Sequence, residues 1–273
     1  MVTNPAISIF RPQVFLMKLH FLGTGGGRYT MGKQLRDTAG LILESGEASI
    51  FIDPGPGALV KAHNYETENL EGLIITHSHL DHYSDAESII ELISVIHENP
   101  CKLMGPVSVL EGYGDMEQSV SNYHQNQCTR TVNLTEKEET EIGDLKIESQ
   151  EMFHSEPKCR GLKISNGEKK FGFWTDSAYS DELLEFYEDC DTLVINCNRP
   201  REGNIRGHIS LTDVPKILEE LDVKTVIITH FGDKFLESDM EEEQAWLDDQ
   251  VDAKVIFSED GMTYPGDRKL SSF

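Results

Sequence analysis

The chain has 273 residues, 38% hydrophobic and 26% charged, and its 48 acidic against 24 basic side chains give a net charge of −24. That length admits one or two domains around a sizeable core. No apolar run approaches the roughly 18 to 20 residues of a membrane span, the N-terminus lacks the apolar core of a signal peptide, and so acidic a chain lacks the basic face that grips a long polyanion. A cytoplasmic protein with no membrane contact and no extended nucleic-acid partner is therefore expected, its acidity serving mainly to solubilise the surface. Cys101, Cys128, Cys159, Cys190 and Cys197 are scattered, odd in number and without a C-x-x-C pair, which predicts reduced thiols.

Residues 1–16 are poorly patterned and read as an N-terminal extension, with Met17 as an alternative start and residues 17–273 as a single domain. The periodic core begins at Met17-Lys18-Leu19-His20-Phe21-Leu22. Gly23-Thr24-Gly25-Gly26-Gly27 then closes a strand as a tight loop; it has neither a Walker lysine nor the G-x-G-x-x-G spacing of a phosphate cradle. Two strands, Gly40 to Leu43 and Ala48 to Ile52, turn around Ser45-Gly46-Glu47. Asp53-Pro54-Gly55-Pro56-Gly57 ends the second, and Ala58 to Asn64 forms a short helix. The apolar run Leu73-Ile74-Ile75 is a buried strand that delivers Thr76-His77-Ser78-His79-Leu80-Asp81-His82 onto a strand-to-helix loop. In extended chain His77 and His79 point to one side and can share an ion, while Asp81 and His82 turn toward a second.

Further on, a helix over residues 86–97 precedes a strand at Lys102-Leu103-Met104-Gly105-Pro106 and a helix through about Tyr123. Residues 131–153 alternate in places, as in Leu145-Lys146-Ile147-Glu148, and lead to His154 at a strand end. A hairpin of Gly161 to Ser165 and Lys170 to Thr175 around Asn166-Gly167 delivers Asp176. Thr192 to Asn196 is a strand, Leu211 to Leu221 an amphipathic helix, and the acidic run from Glu237 to Val251 a solvated helix. Val226-Ile227-Ile228-Thr229-His230 echoes Leu73-Ile74-Ile75-Thr76-His77, so two similar α/β halves are expected.

The heptad at 76–82 resembles the His-x-His-x-Asp-His signature of the metallo-β-lactamase-fold hydrolases, and the resemblance runs over nearly the whole chain. It implies an αββα four-layer sandwich of two stacked mixed sheets, with metals at the edge between them. It also implies His77, His79 and His154 on one ion, Asp81, His82 and His230 on a second, Asp176 bridging, and Asp53 supporting the ligand loop. Five neutral imidazoles and two carboxylates leave two divalent ions with surplus positive charge, suited to a small anionic ester. The nitrogen-rich set favours zinc, with manganese or iron as alternatives. Each ion lowers the pKa of bound water from about 16 toward 7, which would furnish a bridging hydroxide.

His208 in Gly207-His208-Ile209-Ser210-Leu211 resembles the non-ligand histidine of ribonuclease Z and related phosphodiesterases, which contacts phosphate and assists the leaving oxygen; the alternative is a polar helix cap. With Asp81 it is the expected catalytic residue, and Arg199, Arg201 and Arg206 are expected to clamp phosphate oxygens. Ribonuclease Z carries a long RNA-binding arm between its third histidine and bridging aspartate, whereas here His154 and Asp176 stand 22 positions apart. The better likeness is to armless phosphodiesterases such as the cyclic-phosphate phosphodiesterase of phosphonate degradation, without that enzyme's cysteine-rich zinc site. Hydrolysis of a small or cyclic phosphodiester is the expected activity. The rivals are a thioester or lactone hydrolase of glyoxalase II type, a β-lactamase, which generally lacks the pattern of Asp81-His82 plus Asp176, and a non-catalytic metal-held module. A homodimer is the default assembly.

Overall fold

The computed structural model describes residues 16–46, 48–135 and 139–266. In its first half, strands β1 (Lys18–Phe21), β2 (Leu41–Ser45), β3 (Ala48–Ile52), β4 (Leu70–Ile74), β5 (Lys102–Gly105) and β6 (Arg130–Asn133) lie in one sheet. The second half supplies β7 (Thr140–Ile142), β8 (Leu145–Glu151), β9 (Arg160–Ser165), β10 (Lys170–Trp174), β11 (Thr192–Arg199), β12 (Ile209–Ser210), β13 (Thr225–Thr229) and β14 (Lys254–Phe257), while β15 (Thr263–Tyr264) returns to the first sheet beside β1. Both sheets are mixed and follow one plan. Antiparallel strands come first, β1 to β3 and β7 to β10, and parallel partners follow, β4 to β6 and β11, β13 and β14.

Period-two alternation sorts the strand side chains into layers. Ile74 and Ile227 point between the sheets into a shared core with Phe21, Ile50, Leu162 and Val194. Their neighbours point outward: Leu73 and Ile75 meet the helix Ala86–Glu91, and Val226 and Ile228 meet the helices Val214–Glu220 and Met240–Asp248. A strand buried on both faces has no polar side, which is why these runs read as continuously apolar. The result is the four-layer αββα sandwich expected from the sequence. Among the described residues no helix is long and apolar enough to cross a membrane.

Several elements differ from expectation. The helix foreseen after Pro106 lasts only from Val107 to Leu110, because Gly112 (φ 87°) and Gly114 (φ 63°) adopt left-handed backbone; a second turn forms only at Asn122–Gln125. The helix at 86–97 widens into a π turn over Leu92–Ile96. The acidic helix starts afresh at Met240, where the Asp239 carboxylate accepts the N–H groups of Glu241 and Glu242. His208 does not open a helix directly: the short strand β12 intervenes, and Ser210 with Asp213 forms the capping box. The proposed extension at 1–16 lies, apart from Leu16, outside the described residues.

Parallel pairing has a functional consequence. β3, β4, β8, β10 and β13 all end at the same edge of the sandwich, so the residues just after them, Asp53, His77, His154, Asp176 and His230, are carried to one place.

Candidate metal centre

Two nests of ligand atoms meet there. In the first, His77 Nε2 and His79 Nδ1 are 3.1 Å apart and His154 Nε2 is 3.2 Å from the same His79 nitrogen. In the second, His82 Nε2 and His230 Nε2 are 3.1 Å apart, with Asp81 Oδ2 at 3.6 and 3.4 Å from them. Asp176 lies between: its Oδ2 is 3.8, 3.5 and 4.0 Å from the ring nitrogens of His77, His82 and His154, and its Oδ1 is 3.3 Å from His230. The structure thus brings together all seven residues named as ligands from the sequence.

The bonds of the outer nitrogens fix which nitrogen of each ring faces the centre. His82 Nδ1 donates to Asp53 Oδ2 at 2.9 Å, and His154 Nδ1 donates to the Gly207 carbonyl at 2.8 Å. His77 Nδ1 donates to the Thr76 hydroxyl at 3.1 Å, which itself donates to Asp53 at 2.7 Å. Asp53 also accepts the Thr76 backbone N–H, so one buried carboxylate holds the ligand loop and two ligand tautomers. With their Nδ1 protons committed outward, His77 and His154 aim lone pairs inward, and so does His82 once its Nε2 proton is displaced; such an arrangement repels itself unless a cation sits among them. Ligand atoms around a tetrahedral ion with bonds of about 2.05 Å stand roughly 3.3 Å apart. The observed separations fit that spacing, so the residues present suit a pair of small divalent cations.

Electrostatics agree. Burial pushes His77 well below the usual histidine range and takes His79 down to about 4, keeping both neutral as ligands must be. Burial would raise the Asp176 and Asp81 carboxyls, but His230, His82 and His208 around the first, and His82 and His230 around the second, outweigh it and hold both low. His82 goes the other way: burial lowers it, yet Asp81, Asp53 and Asp176 together hold it well above its ordinary value. Its proton occupies the place a cation would take.

His208 stands at the rim, its ring centroid 4.8 Å from that of His154 and its Nδ1 3.7 Å from Asp176 Oδ2. Over the centre opens a cleft of about 660 Å³ whose lining includes Arg28, Tyr29, Leu80, Met116, Arg206 and His208. The three arginines part company here. Arg206 lines the cleft with no carboxylate partner among the described residues. Arg199 also lines it, but its guanidinium is held by Asn198 at 2.7 Å and Asp233 at 3.4 Å. Arg201 is a correction: it is drawn away to Glu242 and Glu243 on the acidic helix, at 2.8 and 3.1 Å, and lies outside the cleft lining.

Sequence reasoning missed Asn196, whose amide donates to Asp176 Oδ1 at 2.8 Å and fixes the carboxylate's tilt. A polar residue closing the apolar run Leu193-Val194-Ile195 was the available signal. It also passed over Arg28 and Tyr29, which enter the cleft behind the glycine loop. That loop is shaped by the metal centre: Gly27 N–H donates to Asp81 Oδ2 at 2.6 Å, and a Cβ on Gly26 would come 2.2 Å from the His230 ring. Gly26→Ala is therefore expected to displace His230, costing about 1–3 kcal/mol of stability and lowering the metal content. Chemical denaturation and elemental analysis of the purified variant check this; unchanged stoichiometry would refute it.

A model of the beta-lactamase superfamily domain matches residues 48–231. Protein MJ1374 of Methanocaldococcus jannaschii is 29% identical over 232 residues, 83% of this chain and 87% of its own. A ribonuclease Z of Methanopyrus kandleri is 28% identical over 51% of this chain and 47% of that protein. The crystal structure of the metallo-beta-lactamase fold protein YhfI from Bacillus subtilis superposes with a TM-score of 0.75 at 19% identity, covering 91% of this chain and 98% of YhfI. A diphosphatase of the PhnP family gives a TM-score of 0.71 at 19% identity, covering 92% and 98%. Between His154 and Asp176 the chain holds only the β9–β10 hairpin, with no inserted arm. The protein belongs to the beta-lactamase superfamily, as a metallo-hydrolase.

Proposed function

We propose that the protein is a phosphodiesterase acting on a small or cyclic phosphodiester, and that His208 delivers the proton its leaving oxygen requires. The observation that carries this reading is the place of His208: beside the Asp176 carboxylate, outside both ligand nests as the sequence set them out, and open to the cleft. Divalent cations in the nests, zinc by preference for so many nitrogens, supply Lewis acidity and make water a stronger acid. The chain's own residues do the rest.

Asp81 and Asp176, held ionised, keep negative charge fixed between and beside the nests. Asp53, Thr76 and Asn196 orient the groups that bind there. Arg206 and Arg28, both lining the cleft, offer positive charge for phosphoryl oxygens. Burial takes His208 down to about 4, against the pull of Asp176. The resting imidazole is therefore neutral; a docked phosphodiester anion raises its proton affinity, so that it takes a proton from water in the open cleft and hands that proton to the leaving oxygen.

A substrate panel tests the assignment. Metal-loaded protein is expected to hydrolyse bis-p-nitrophenyl phosphate and 2′,3′-cyclic nucleotides and to leave thioesters and lactones untouched. Turnover of the acyl substrates alone would transfer the site to the glyoxalase II type of chemistry, and turnover of neither class would leave a metal-held module.

A further inference from the structure

We propose that Cys101 and Cys128 are a dithiol pair that closes to a disulfide when the folded protein meets a small-molecule disulfide. All five cysteines are free thiols, and the sulfurs of these two are 3.7 Å apart in hydrogen-bonding contact. Cys101 precedes β5 and Cys128 precedes β6, its parallel neighbour in the first sheet. The backbone N–H and hydroxyl of Thr129 both donate to the Cys101 carbonyl, at 2.8 and 2.9 Å, which pins the two strand entries side by side. A disulfide needs its sulfurs about 2.05 Å apart, a further approach that side-chain rotation can supply without parting the strands.

The pair has the asymmetry that thiol exchange requires. Cys101 is fully buried, whereas Cys128 is partly exposed, so Cys128 is the sulfur a small molecule can reach. The neighbouring Cys101 thiol lowers the Cys128 thiol, against burial that raises it. Cys128 gives its proton to solvent and attacks one sulfur of the small disulfide, expelling a thiolate and leaving a mixed disulfide. Cys101 then loses its proton, attacks the Cys128 sulfur and expels the second thiolate. Two electrons pass from the protein to the small molecule, which departs as two thiols. The new bond joins the ends of the crossover between β5 and β6, the segment that contributes Met116 to the cleft.

The folded, unsubstituted protein is incubated with oxidised glutathione, then analysed by intact mass, thiol titration and non-reducing peptide mapping. The expected result is a loss of about 2 Da, a peptide pair crosslinked through Cys101 and Cys128, and three of the five thiols still titratable. Cys101→Ser is expected to retain a glutathione adduct on Cys128, since the resolving sulfur is gone, and Cys128→Ser to stay unmodified. A persistent adduct in the unsubstituted protein, a bridge to Cys159, Cys190 or Cys197, or five unchanged thiols would overturn the proposal.

Discussion

His208→Ala is expected to lower kcat on a 2′,3′-cyclic nucleotide by about 10²- to 10⁴-fold, the usual worth of a positioned general acid. The metal content should not change, because the ring is the rim neighbour of His154 and Asp176 and not one of the seven ligands. The size of the loss should depend on the leaving group. An alkoxide leaves poorly without a proton, whereas p-nitrophenolate leaves readily with none, so bis-p-nitrophenyl phosphate should lose far less. Measuring both substrates with one variant separates proton delivery from mere positioning of phosphate. Equal losses would make His208 a positioning residue, and no loss on either would remove it from the mechanism.

How far the site could be read from the sequence follows from how the ligands are distributed. His77, His79, Asp81 and His82 crowd into six positions, and chance does not supply such a cluster behind a buried strand. His154, Asp176 and His230 each stand alone at a strand end, where one residue carries little information. They became legible through the family's order of ligands, together with the repeated Ile-Ile-Thr-His that marks β4 and β13 as counterparts. The layer in which each strand side chain lies was readable because alternation is a local property. Arg201 was not readable: its partners Glu242 and Glu243 lie about forty positions away, and only the fold reveals that a buried acid claims it. The same holds for Asp53 (φ 53°) and His230 (φ 60°), non-glycine residues in left-handed backbone. Such a conformation costs on the order of 1–3 kcal/mol and persists where surrounding contacts enforce it. At Asp53 those contacts are Thr76 and His82, and at His230 the facing wall is Gly26.

The larger effect belongs to Asp176→Asn. Nitrogens of His77, His82, His154 and His230 all face this carboxylate within 4.0 Å, so it supplies the negative charge common to both nests. The amide keeps the shape and can still accept from Asn196, yet carries no charge. Metal content is expected to fall from about two ions per chain to one or fewer, with phosphodiester turnover reduced by at least about 10³-fold; elemental analysis and steady-state kinetics check this. Proton release supplies an independent reading. In the metal-free protein Asp81, Asp53 and Asp176 hold His82 well above its ordinary pKa, overcoming burial, so at neutral pH its Nε2 keeps a proton that an incoming cation must displace. Loading should therefore release about one proton per chain, and affinity should climb about tenfold per pH unit while the solution stays below the raised pKa of His82. With Asp176→Asn one of the three carboxylates loses its charge, the His82 pKa falls, and the proton released on loading shrinks. Titration with zinc in weakly buffered dye solution measures both proteins, and uptake independent of pH in the unsubstituted chain would show that His82 does not hold the proton assigned to it.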